Sequence, residues 1–122
     1  MAKILIVEDD ADLVETYTDL LELHNHSVKS VARAIDVLQI VTRFKPNIVL
    51  LDLNLAGYSG ALVIGLIRNY PMLRQTKIVI ITGHPEMLHG NPDAARVDLI
   101  LNKPISNEDL LGVVDRFLAP TA

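Results

Sequence analysis

Apolar runs recur along the chain at intervals, and each stops at polar residues. Lys3–Val7 has four consecutive apolar residues and is followed at once by Glu8, Asp9 and Asp10. Ile48–Leu51 ends in Asp52, Lys77–Ile81 in Thr82-Gly83, and Asp98–Leu101 in Asn102-Lys103-Pro104. Val28–Ala32 is a short and more polar run of the same kind. Continuous rather than alternating apolarity, rich in valine and isoleucine, predicts strands covered on both faces.

Between these runs the period changes to that of a helix. Leu13, Val14, Tyr17, Leu20, Leu21 and His24 recur at helical spacing, with Asp9 or Asp10 as the cap and Asp12 and Glu15 favouring the positive end. Ala34, Val37, Leu38, Val41 and Phe44 mark a second helix, stopped before Pro46. A third runs from about Ser59 to Tyr70. A last one opens at Ser106-Asn107-Glu108-Asp109 and packs Leu110, Leu111, Val114, Phe117 and Leu118. The segment Thr82–Val97 breaks the rhythm, because Pro85, Gly90 and Pro92 oppose a continuous helix. A short, broken or displaced fourth helix is expected, with Asp93–Arg96 as its regular part. The order is (βα)5, an α/β fold with a doubly wound five-stranded parallel sheet, in one domain spanning residues 1–122.

Composition narrows the chemistry. At 122 residues the chain can bury a full core without a staple, and it has no cysteine. Thiol catalysis, disulfides and thiolate metal sites are thereby excluded, and a cytoplasmic location is the expectation. No apolar run approaches the length of a membrane span. A net charge of −4 with two Phe and three Tyr gives no reason to expect direct nucleic-acid binding.

Strand ends of an open α/β sheet form its ligand crevice. Glu8, Asp9 and Asp52 would meet there, and three carboxylates repel one another unless a proton or cation intervenes. Oxygen ligands without His or Cys favour a hard cation, Mg2+ above all, with Mn2+ as the substitute. Lys103 adds a positive point charge, Thr82 a hydroxyl, and Gly83 a backbone N–H. Together these are the parts needed to transfer a phosphoryl group onto a carboxylate. His24 and His26 are read as a solvated turn. His84 and His89 lack a third ligand for zinc.

In these positions the chain resembles, from end to end, the CheY-like response regulator receiver domains of two-component signalling. The residues that carry the likeness are Glu8-Asp9, Asp52, Gly60, Thr82 and Lys103-Pro104. The resemblance implies flavodoxin-like strand order 2-1-3-4-5 and a phosphorylation-activated switch rather than an enzyme acting on an external substrate. Asp52 would accept a phosphoryl group from a sensor histidine kinase or a histidine phosphotransfer protein, and catalysis would extend only to this transfer and to autodephosphorylation. Glu8, Asp9, Asp52 and the backbone carbonyl of Asn54 would hold the metal. Thr82 and Lys103 would bind the phosphoryl group, and the bond before Pro104 would be cis. Asn54 and His84, two residues past Asp52 and Thr82, would tune dephosphorylation.

Three departures bear on the output. Ile100 stands where the family usually has an aromatic switch residue, so rotation of an aromatic ring cannot be the readout. Ala56 replaces a common proline, which predicts a looser loop. Leu62 and Leu66 would project outward beside Gly65 as a contact surface, for example in a homodimer. Pro120-Thr121-Ala122 reads as a frayed end or the start of a linker. Of the alternatives, a phosphohydrolase would carry an acid where Asn54 stands, a pseudo-receiver would lack the acids, and a flavin binder would not place three acids after its first strand.

Overall fold

The computed structural model describes residues 2–55 and 58–118, with Tyr58 and Ser59 described in backbone only. Ala56 and Pro120–Ala122, for which the sequence raises expectations, lie outside these residues. Five strands form one parallel sheet: β1 (Lys3–Val7), β2 (Ser27–Val31), β3 (Ile48–Leu51), β6 (Lys77–Thr82) and β7 (Leu99–Asn102). Their order is β2-β1-β3-β6-β7, the expected 2-1-3-4-5 arrangement of the main strands. β1 and β3 keep the bounds read from the sequence. β2 starts one residue earlier than expected, β6 extends to Thr82, and β7 is shifted by one.

The two faces of the sheet bury separate clusters. Leu5, Val7, Val49, Leu51, Ile78 and Ile80 pack on one face. It is covered by α2 (Val37–Phe44), which follows a 3-10 turn at Ala34–Asp36, and by α3 (Ala61–Arg68). Ile4, Ile6, Ile48, Leu50, Val79 and Ile81 pack on the other, under α1 (Ala11–Leu23) and α4 (Asn107–Leu118). The strict alternation of these two sets along β1, β3 and β6 is the period of two that a strand imposes. Both sets are apolar, so the runs read as continuous.

Caps fall where side chains can reach orphan amides. The Asp10 carboxylate accepts from the N–H groups of Asp12 and Leu13, at 3.1 and 3.2 Å, so Asp10 rather than Asp9 caps α1. Ser106 Oγ accepts from the Asp109 N–H at 3.0 Å, as its capping sequence predicts.

Two elements differ from expectation, and the fourth helix is broken as expected. A two-strand hairpin, β4 (Asn54–Leu55) with β5 (Tyr58–Ser59), follows Asp52, so the third helix starts at Ala61 and not near Ser59. In place of a fourth α-helix stand two 3-10 turns, Pro85–Leu88 and Pro92–Arg96. A proline opens each turn, and Gly90 lies between them with φ of +73°, a conformation that ends a helix. Asp98 is not a strand residue but an anchor. Its Oδ2 accepts from the Ile78 N–H at 2.8 Å and from Arg68, whose guanidinium also donates to the carbonyls of Thr76 and Arg96.

The histidines likewise separate. His24 is exposed at the end of α1, whereas half-buried His26 accepts the Ala2 N–H at Nδ1, 3.1 Å away, and is part of the fold rather than a solvated turn. Leu62 is 59 % exposed while Leu66 is half-buried, which makes the outward pair on α3 narrower than expected. Among the described residues no helix is long and apolar enough to cross a membrane.

Candidate functional site

Parallel strands deliver their carboxyl ends to one edge of the sheet, and that edge holds the expected side chains. β1 and β3 are paired through Val7↔Leu51, so Glu8 and Asp52 emerge side by side. The backbone extends the match, because the Asp52 N–H donates to the Val7 carbonyl at 2.9 Å. Glu8 is 4 % exposed and Asp52 7 %, while Asp9 is exposed at the rim. One carboxylate oxygen from each of Glu8, Asp9 and Asp52 lies within 4.8 Å of the others. This is the one cluster of at least three acidic, His or Cys groups with metal-holding spacing among the described residues.

Lys103 spans the cluster. Its Nζ lies 2.5 Å from Glu8 Oε1 and 3.3 Å from Asp52 Oδ2. The other oxygen of Glu8 accepts from the backbone N–H groups of Asp9 and Asp10, at 3.0 and 3.3 Å. Burial pushes the Glu8 carboxyl above its ordinary range; the bond from Lys103 opposes this and the neighbouring Asp52 adds to it. Burial alone would depress Lys103, but the bond and charge of Glu8, joined by Asp52, outweigh it and the ammonium titrates above its usual value. Lys103 thus offsets one charge among the three acids gathered at this edge.

Thr82 is fully buried at the end of β6, and its Oγ accepts from the His84 N–H at 3.0 Å. Acting as acceptor there, the hydroxyl keeps its own proton for another acceptor. The Lys103 N–H donates to the Thr82 carbonyl at 2.8 Å, tying the two strand ends together. The peptide bond between Lys103 and Pro104 is cis. Gly83 and His84 are exposed beside Thr82, and His84 pairs with Glu86 at 3.2 Å. Asn54 is exposed, and its N–H donates to Asp52 Oδ1 at 3.2 Å.

Two residues bear on the site that were not read as part of it. The Gly60 N–H donates to the Leu53 carbonyl at 2.7 Å. A Cβ there would collide with the Asp52 carbonyl oxygen and stand 2.8 Å from Leu53 Cα, so only glycine allows the loop to close behind Asp52. Tyr17, read as a core position, is buried and has its phenol raised, first by burial; Lys103, Glu8 and Asp52 all act on it electrostatically. Ile100, by contrast, is 41 % exposed on edge strand β7.

This disposition of acids, hydroxyl and lysine can be compared with known proteins. The family profile described as response regulator receiver domain matches residues 4–115. The chain belongs to the response regulator receiver family. It is a receiver domain of the two-component type, a class of phosphoacceptor regulatory domains. Protein PilH of Pseudomonas aeruginosa is 28% identical over 122 residues, with 98% of this chain and 99% of that protein covered. Transcription factor SKN7 of Saccharomyces cerevisiae is 25% identical over 122 residues; 94% of this chain aligns, but it spans only 18% of that protein. A CheY-like receiver domain from Methylobacillus flagellatus has a TM-score of 0.83 at 28% identity, over 96% of this chain and 98% of that one. Response regulator TrrA of Thermotoga maritima, solved in complex with Mg2+-BeF, shares the fold. Its TM-score is 0.83 at 22% identity, over 97% of this chain and 100% of that one.

Proposed function

We propose that Asp52 is the phosphoacceptor of this receiver domain. The observation that carries the reading is the closure of Glu8, Asp9 and Asp52 to within 4.8 Å of one another, with Lys103 bridging Glu8 and Asp52. The donor set fits a hard divalent cation, since it offers carboxylate oxygens and no nitrogen or sulfur. Glu8, Asp9, Asp52 and the Asn54 carbonyl are the residues that would hold Mg2+ or Mn2+. Such an ion would supply charge neutralisation at the transferring oxygens.

The chain's own residues do the rest. An Asp52 carboxylate oxygen forms the new P–O bond as the P–N bond to the donor's imidazole breaks, and the imidazole leaves with the electron pair. The donor class is a phosphohistidine on a sensor histidine kinase or a histidine phosphotransfer protein. Lys103 moves its charge from Glu8 toward the phosphoryl group, and Thr82 donates its hydroxyl proton to it. Gly83, beside Thr82, contributes a backbone N–H. Hydrolysis then returns Asp52 to the carboxylate, with Asn54 and His84 flanking the approach of water. Phosphorylation redistributes Thr82 and Lys103, and the 3-10 segment after Thr82 follows, biasing two conformations of the switch.

Incubation with Mg2+ and a small acyl phosphate, followed by intact mass measurement, tests the assignment. One phosphoryl group is expected on the wild type, and none without the metal or in Asp52→Ala. An Asp52→Ala protein that still gains the group would overturn it.

A further inference from the structure

One cleft of the described residues lies away from the carboxylate site. It measures about 580 Å3 and lies along edge strand β2 and the flank of α2, between Lys29, Ser30, Gln39, Arg43 and Phe44. β2 pairs with β1 on one side only. The Ser27 N–H donates to the Ala2 carbonyl and the Val31 carbonyl accepts from the Glu8 N–H, so odd-numbered residues of β2 face β1. The N–H and C=O groups of Val28 and Ser30 therefore point away from the sheet, and nothing in the described structure pairs with them.

On the α2 side of this edge the charge runs against that of the molecule, whereas Glu15 and Asp19 flank Ser30 on the α1 side. The chain is net −4, yet Lys3, Lys29, Arg43 and Lys45 are exposed around this corner. None of the four has a carboxylate partner within salt-bridge distance among the described residues. The Lys29 and Lys3 ammoniums lie 5.3 and 6.0 Å from the Phe44 ring centre, which gathers both charges on the α2 side of the edge. The cleft's own acid, Asp36, is taken by Arg33 at 3.4 Å.

We propose that this edge is a docking site for an acidic, extended peptide segment that adds as a strand to β2. Its backbone would pair with Val28 and Ser30, and its acidic side chains, on alternate positions, would meet Lys29 and Arg43. A partner carrying such a segment would be held at the opposite edge of the sheet from β7, leaving the Asp52 crevice open. The inference does not depend on phosphorylation of Asp52.

The probe is a fluorescein-labelled octapeptide of alternating glutamate and valine, titrated with the full chain by fluorescence polarisation. Lys29→Glu with Arg43→Glu should weaken binding at least about tenfold, and a lysine–valine octapeptide should not bind. Lys77→Glu, a charge change on another part of the sheet, should leave it unaltered. Ser30→Pro removes an outward N–H that the fold does not use, as edge strands tolerate, and should also cost about tenfold or more. Circular dichroism and a cooperative urea transition report whether each variant is folded. No binding by the wild type, or binding that a folded Ser30→Pro retains, overturns strand addition; in the first case Lys29 serves only to keep the edge from pairing.

Discussion

Lys103 decides the state of the site. Its ammonium occupies the oxygens of Glu8 and Asp52 that a divalent cation would also approach. Removing it should therefore help the metal and harm the chemistry. Lys103→Met is expected to bind Mg2+ tighter by about fivefold, a gain of roughly 1 kcal/mol from one lost neighbouring charge at moderate screening. Its phosphoryl uptake should be slower than wild type. Isothermal titration and the rate of mass gain check the pair of effects; weaker Mg2+ binding would show that Lys103 orders the acids rather than competing. The residues of this site were legible because each ends an apolar strand. Gly60's role was not, since it rests on a backbone approach that no spacing records. His26 was misread for a similar reason, because its partner is the Ala2 amide, 24 positions away.

At the level of elements, burial on both faces made β1 and β3 readable to the residue. The β4–β5 hairpin was not, because two-residue strands are too short to imprint a period. Where prolines suppress the fourth helix, the connection into β7 is fastened by Arg68. That side chain is 14 % exposed and joins α3 to the Thr76 and Arg96 carbonyls and to Asp98. Lys77 stands 4.0 Å from the same carboxylate and cannot replace this geometry. Arg68→Met should destabilise the fold by about 2–3 kcal/mol, because the buried Thr76 carbonyl and the half-buried Asp98 carboxylate lose charged donors. Urea unfolding measures this, and hydrogen exchange should locate the loosening at Pro92–Asp98. A loss under about 0.5 kcal/mol would show that the 3-10 turns hold themselves.

For the whole molecule, acid sensitivity has a named contributor in His26. Burial holds the His26 imidazole below its ordinary range, the amino-terminal charge adds to this, Asp115 opposes it, and His24 adds a little more. The folded state thus resists a proton that the unfolded chain accepts. His26 contributes stability that is present above the unfolded value near 6.5 and is lost as pH falls through the lower folded value. In His26→Gln the urea midpoint should vary less with pH across this window than in the wild type, and equal slopes would contradict the assignment.

The receiver fold and its acidic crevice together make Asp52 the centre of the account. The most direct measurement reduces the phosphorylated protein with borohydride, which converts an aspartyl phosphate to homoserine, and maps the product by peptide mass spectrometry. Homoserine is expected at position 52, only after treatment with acyl phosphate and Mg2+. Conversion at Asp9, at another acid, or nowhere would contradict the account.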